Sequence, residues 1–243
     1  MIPTMQPRSE TSVVVKRSVA LLWAIAGLCL AGTSLAQDHP PQVGAAAPGQ
    51  HMEHRFDDAE RYAKSFDDPA RDAWQMPDRV IEALALSRGQ SVADIGAGTG
   101  YFSVRLAKSK AAPIVYAADV EPSMVDYLAK RAMKEGLTNV VPVLAGASVA
   151  NLPRAVDVVL IVDTYHHIAN RPAYFRELRK SMKPGARLAI IDFKKDAPEG
   201  PPVEFRFTAE EIAAELGSAG FRLVTQHVFL PRQMFLVFEP GTF

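Results

Sequence analysis

An aspartate followed by three alternating glycines, Asp94-Ile95-Gly96-Ala97-Gly98-Thr99-Gly100, has the residue types to hold a ligand. Glycine has no Cβ, so the backbone there can approach a ligand closely. The spacing is G-x-G-x-G and departs from the G-x-G-x-x-G of dinucleotide folds. Asp94, ahead of the turn, can meet a cationic amino group but would repel a pyrophosphate. Asp119 follows Gly100 by 19 residues, where a carboxylate can accept hydrogen bonds from both hydroxyls of a ribose. Nicotinamide folds use the same device, so Asp119 alone does not discriminate. Taken singly, Asp94 also suits a cap and Asp119 a turn before Pro122; with the glycines they read as one site. A second cluster, Asp163-Thr164-Tyr165-His166-His167, closes an apolar run. Histidine there suits proton transfer near neutral pH.

The elements around these residues alternate between strand and helix. Ser91–Ile95 reads as a buried strand ending in the glycines, followed by an amphipathic helix over Thr99–Lys108. Strands are expected at Pro113–Ala118, Val140–Leu144, Val156–Val162 and Arg187–Phe193. The apolar run of Val156–Val162, broken by Asp157 alone, marks a central parallel strand. Helices are expected over Ser123–Glu135, stopped by Gly136, and over Pro172–Met182, stopped by Lys183-Pro184-Gly185. Thr208 caps a further helix through Leu216, with Glu210 and Glu211 in its first turn. Phe221–Phe229 and Met234–Phe238 are two strands joined by a short turn around Pro231. A parallel crossover needs a dozen or more residues, so that pair must be antiparallel. The expected fold is α/β, a mostly parallel sheet with helices on both faces and an antiparallel C-terminal hairpin.

From Pro77 to Phe238 the chain resembles the class I S-adenosylmethionine-dependent methyltransferases. Asp94 to Gly100 looks like their motif I, Asp119 like the ribose-binding acid, and Val158–Asp163 like the motif IV strand. Lys183 to Leu188 looks like the loop before their fifth strand, and the closing hairpin matches their antiparallel seventh strand. Within the family the sequence looks most like the bacterial small-molecule enzymes of the ubiquinone-biosynthesis type. The resemblance implies a seven-stranded Rossmann-like methyltransferase fold. It implies S-adenosylmethionine as cofactor, with Gly96, Ala97, Gly98 and Gly100 under its methionine part, near Asp94. Many relatives carry Gly-Asp after the third strand, the acid lying near the adenine amino group. Here the residues are Ala145-Gly146-Ala147-Ser148. Ala147 cannot accept that hydrogen bond, so backbone groups or Ser148 must substitute.

In this resemblance the methyl group emerges beside Asp163-Thr164-Tyr165-His166-His167. Alignment of the nucleophile supplies much of the acceleration in such a displacement. His166 or Tyr165 is the expected base or substrate-positioning residue; the competing role for the histidines is packing and loop hydrogen bonding. Asp163 is expected to position the substrate or the cofactor's amino group. Trp74-Gln75-Met76-Pro77 is expected next to the cofactor, with Phe56, Phe66 and Trp74 packing or covering it as a lid. His51 and His54 have the spacing of one helix face but no evident third ligand, so no metal is expected.

Lys plus Arg and Asp plus Glu number 27 each, and no basic stripe marks a nucleic-acid surface. The acceptor is therefore expected to be a small molecule or lipid-like. Arg8, Lys16 and Arg17 precede an apolar run from Val19 to Leu30, then Ser34 and Ala36 at peptidase spacing. Residues 1–36 match a secretory signal peptide. The run is short against the roughly 20 apolar residues of a membrane span. An exported, periplasmic protein without stable membrane insertion is expected; the alternative is an uncleaved inner-membrane anchor. The sole cysteine, Cys29, lies in that segment, which excludes disulfides from the remainder. Residues 37–50 read as a flexible leader, 51–76 as an N-terminal cap and 77–243 as the methyltransferase domain. The main competitor to an enzyme is an exported, non-catalytic binding protein on a degenerate fold.

Overall fold

The computed structural model describes residues 51–52 and 55–241. The expected signal peptide and the 37–50 leader lie outside the described residues. Among the described residues, seven strands form one sheet: β1 (Ser91–Ile95), β2 (Ile114–Asp119), β3 (Val140–Leu144), β4 (Val156–Val162), β5 (Met182–Phe193), β6 (Phe221–His227) and β7 (Gln233–Pro240). Their order is β3-β2-β1-β4-β5-β7-β6. Neighbours among β1 to β5 pair parallel, and β7 runs antiparallel between β5 and β6.

The continuous apolar run of β4 follows from burial on both faces. Val158 and Leu160 pack into a core with Leu106, Leu128 and Phe235. Val159 and Ile161 point the other way, into a core with Phe175, Leu216 and Phe238. Helices α4 (Tyr101–Lys108) and α5 (Pro122–Lys134) supply the first layer; α6 (Arg171–Arg179) and α7 (Ala209–Ser218) supply the second. Each buried Val, Leu or Ile side chain contributes roughly 1.5–3 kcal/mol relative to exposure. Helix α7 opens on a capping box: Thr208 Oγ1 accepts from Glu211 N, and Glu211 Oε2 accepts from Thr208 N.

Several boundaries differ from expectation, among them the end of α6, which stops at Arg179 rather than Met182, and two differences have a local cause. Helix α4 begins at Tyr101 rather than Thr99, because Gly100 sits in left-handed backbone at φ 93° and Thr99 is still in the turn. Lys183-Pro184-Gly185 is not a loop ahead of β5 but a bulge within it. Val156 pairs with Met182, and the next pair is Val158 with Arg187. Pro184 has no N–H for the ladder, and Gly185 turns the chain at φ 73°.

The N-terminal cap comprises α1 (Ala59–Phe66), a 3-10 turn (Pro69–Arg71) and α2 (Asp72–Gln75). Met76 then takes left-handed backbone at φ 44° and Pro77 starts α3 (Pro77–Ala83). The parallel topology brings Asp94, Asp119, Asp163 and Asp192 to one edge of the sheet, at the carboxyl ends of β1, β2, β4 and β5. Because β7 is antiparallel, its first residue, Gln233, lies at the same edge, paired with Phe193.

Phe238 is fully buried in β7, opposite Leu188 of β5 and Leu223 of β6. Phe238→Ala is expected to cost about 3–5 kcal/mol, read as a lowered urea midpoint with little change in slope.

Candidate active site

The glycine turn is held by carboxylates and carbonyls around it. Gly96 N and Ala97 N both donate to Ala118 O of β2, at 2.8 and 3.1 Å. Gly98 N donates to Asp119 Oδ2 at 2.8 Å, and Glu121 N donates to Asp119 Oδ1 at 3.0 Å. From α5, Arg131 donates to Thr99 O at 2.8 Å and to Asp67 of the cap at 2.8 Å. Gly96 has φ 71°, and a Cβ there would fall 2.2 Å from Thr164 Oγ1. Gly98 has φ 55°, and its Cβ would sit 3.2 Å from the ring of Phe66. Glycine is therefore required twice over at Gly96, by backbone conformation and by the approach of the β4 end. Thr99 Oγ1 is buried in this loop and has no hydrogen-bond partner.

Asp94 is buried in β1, and its Oδ2 accepts from Ser103 Oγ of α4 at 2.6 Å. It thus braces the glycine turn against the helix that follows. Burial lifts its carboxyl from 3.8 to about 6; Ser103 opposes this, and the charge of Asp119 adds to it. Burial also raises Asp119, against the two N–H groups it accepts.

Asp163 follows β4 in left-handed backbone, φ 52°. Its Oδ2 accepts from Gln75 Nε2 of α2 at 3.1 Å, and its Oδ1 accepts from Gln233 Nε2 of β7. Gln75 Nε2 also donates to Gln233 Oε1 at 3.3 Å. Arg71 Nε donates to Gln75 Oε1 at 2.9 Å, and the guanidinium lies 3.6 Å from Asp163. Burial and the nearby Asp192 charge raise the Asp163 carboxyl to about 6, against Arg71, Gln75 and His166.

His166 is 3% exposed. Its Nδ1 lies 2.9 and 3.0 Å from the two oxygens of Asp192, which also accept from His166 N at 3.3 Å and Phe193 N at 2.8 Å. Burial pulls the His166 pKa down, but Asp192 and Asp163 outweigh it and leave it above 6.5. His167 turns to the cap, with Nδ1 2.8 Å from Met52 O and its ring edge-on to Phe56.

Tyr165, expected as a base or substrate-positioning residue, is fully buried away from the strand-end acids. Consecutive residues of the short 3-10 turn point in different directions, and Tyr165 goes into the core. Its hydroxyl donates to Glu215 of α7 and its ring stacks on Phe175, with Arg171 over the face at 5.1 Å. It holds α6 and α7 together rather than facing the site. Ala147 and Ser148 are exposed at the tip of a turn closed by the Gly146–Val149 bridge. Ser148 also borders a cleft of about 440 Å³ with Asn170, Tyr174 and Glu177. Trp74 packs against Phe193, and the Phe66 ring lies against Gly98.

Asp192, Gln233 and Arg71 were not among the expected site residues. Asp192 had a signal: a lone acid near the end of the apolar run Ala189-Ile190-Ile191, as Asp94 is in β1. Gln233 and Arg71 had none, since their placement depends on the antiparallel β7 and on the docking of the cap. Together the acids, the glycine turn and the buried histidine suit a ligand with a ribose and a cationic amino group.

Folding raises the carboxyl pKa of Asp94 and Asp163, so the folded chain holds protons that the unfolded chain releases. Their contribution to stability is complete below about pH 4 and is lost as pH rises to about 6. Asp94→Asn is expected to flatten the fall in urea midpoint across that window. An unchanged slope against the parent would remove the assignment.

Comparison with known proteins is consistent with this geometry. A family model described as a methyltransferase domain matches residues 86–223. A solved S-adenosylmethionine-dependent methyltransferase from Aquifex aeolicus is 31% identical, with a TM-score of 0.69, over 74% of this chain and 97% of that one. Phosphoethanolamine N-methyltransferase 1 of Arabidopsis thaliana is 32% identical over 51% of this chain and 25% of its own length. The 27-O-demethylrifamycin SV methyltransferase of Amycolatopsis mediterranei is 30% identical over 49% of this chain and 44% of its own. The chain thus spans a quarter to under half of these two curated relatives. With its motif, its strand order and its match to the family model, the chain belongs to the S-adenosylmethionine-dependent methyltransferase family.

Proposed function

We propose that this protein transfers the methyl group of S-adenosylmethionine to a small-molecule acceptor through an oxygen, nitrogen or acidic carbon that His166 deprotonates. The observation that carries this is the buried His166–Asp192 pair on the carboxyl edge that also bears the glycine turn and Asp119. When bound, the cofactor supplies an electrophilic methyl group on a sulfonium. Asp119 holds its ribose. A carboxylate has about four acceptor positions, and the N–H groups of Gly98 and Glu121 use two. The glycine turn would lie under the methionine part, and Asp163 would take the amino group. Backbone groups at Ala147, or the Ser148 hydroxyl, would meet the adenine amino group. Relatives named for phosphoethanolamine and for a demethylrifamycin support a small acceptor, as does the balance of acids and bases.

Asp192 fixes the His166 ring by accepting the Nδ1 proton, which leaves Nε2 as the position that takes a proton. The same carboxylate raises the His166 pKa, so the neutral, basic form prevails only at higher pH. Turnover is then expected to rise with pH through a midpoint above 6.5. Asp192→Asn should move that midpoint down and lower the maximum rate. His166→Ala should spare cofactor binding and reduce turnover by about 10²-fold or more; a full-rate variant would return His166 to a packing role.

Calorimetric titration with S-adenosylmethionine and S-adenosylhomocysteine tests the cofactor assignment. Binding of both is expected, weakened at least about tenfold in Asp119→Ala by loss of hydrogen bonds to a charged group. Affinity unchanged in that variant would remove Asp119 from the pocket.

A further inference from the structure

Three chain segments far apart in sequence meet at Asp163: α2 through Gln75, the end of β4, and the start of β7 through Gln233. Gln75 and Gln233 are 0% and 1% exposed. Burying two amides gains nothing over apolar side chains unless their hydrogen bonds are made, and each one unmade costs about 1–3 kcal/mol. These amides have only one workable orientation. Arg71 can only donate, so Gln75 must turn Oε1 to it. Gln75 Nε2 then faces Asp163 and Gln233 Oε1. Gln233 in turn has only Nε2 left for Asp163. The chain of bonds runs from the guanidinium to the carboxylate in a single direction. It favours an ionised Asp163, because each carboxylate oxygen accepts from one amide N–H and the guanidinium lies beside Oδ2.

The same arginine reaches the rest of the cap. Arg71 donates to Phe66 O, and its guanidinium stacks 4.2 Å from the centre of the Tyr101 ring on α4. Phe66 is the side chain over Gly98. Hydrogen bonds thus run without a break from Asp163 through Gln75 and Arg71 to the backbone of Phe66.

We infer that Gln75 and Gln233 are positioning residues of the cofactor site: they aim the Asp163 carboxylate and clasp the cap to the carboxyl edge of the sheet, so cap and site close as one unit. This rests on the cofactor assignment proposed above. An ionised Asp163 held at its two oxygens is ready for a cationic amino group without reorganisation, which favours binding. Affinity should therefore fall as pH drops through about 6, where Asp163 takes up a proton.

The test compares the parent protein with Gln75→Leu, Gln233→Leu and the double variant. Two quantities are read: hydrogen exchange of cap amides 59–76 without ligand, and calorimetric affinity for S-adenosylhomocysteine from pH 5 to 8. Each single variant is expected to speed exchange in the cap while leaving β1 and β4 protected. Each should weaken affinity about tenfold, the size expected for one lost bond to a charged group. The pH midpoint should move up, because the carboxylate loses a donor. The double variant should be little worse than either single one, because both act through Asp163. Gln233→Glu keeps the side chain's size and serves if the leucine variant fails to fold; it should move the midpoint further up. Cap exchange and midpoint both unchanged in a folded variant would overturn the inference. So would an affinity loss with an unmoved midpoint, which marks a merely structural role. A parent that binds no S-adenosylhomocysteine would instead overturn the cofactor assignment, and ligand-free exchange would still decide whether the clasp exists.

Discussion

Asp119 and Gly98 form the bond around which this structure is arranged. Where the chain leaves β1 it must reverse tightly enough to present backbone to a ligand, and a reversing backbone leaves N–H groups without ladder partners. Ala118 O takes two of them and the Asp119 carboxylate takes a third. The neighbours then fall into place. Ala145 N of the β3 end donates to Asp119 O, Asp94 braces the turn through Ser103, and Arg131 grips Thr99 O from α5. Five elements converge on a turn that carries almost no side chains of its own.

The same topology gathers acids at one edge. Parallel strands share a direction, so Asp94, Asp119, Asp163 and Asp192 sit near the same line of strand ends. Buried carboxylates at close quarters repel one another and resist ionisation, which is why two of them rise to about 6. The protein offsets this with Arg71, with His166 and with backbone N–H groups. An edge built this way suits a ligand that arrives with positive charge.

Much of this arrangement was legible in the residues themselves. β1, β3 and β4 fell on the expected residues because each is an apolar run bounded by turn residues. The antiparallel hairpin followed from the shortness of the link between β6 and β7. The β5 start was not legible, because a proline and a glycine after a helix read as a stop unless the partner strand is known to accept a bulge. The placement of Asp119 at the end of β2 and of His166 just after β4 was legible from the strand pattern. Tyr165 was misplaced because a linear motif does not say which way neighbours in a 3-10 turn point. Gln233 was not legible because its meaning lies in contacts across 70 and 158 residues of chain, and Arg71 because its partner Asp163 lies at the far end of β4.

The position of β7 in the sheet has a consequence for how the chain acquires its structure. β7 follows every other described strand in sequence yet lies inside the sheet, between β5 and β6. Until it docks, β5 keeps an open edge and β6 has no neighbour to pair with, so this half of the sheet cannot form outward strand by strand. An exposed apolar edge such as Ala189-Ile190-Ile191 is also a template for pairing with other chains. A product ending before residue 233 would therefore lack Gln233 and leave β5 open to aggregation, and only insertion of β7 removes both defects.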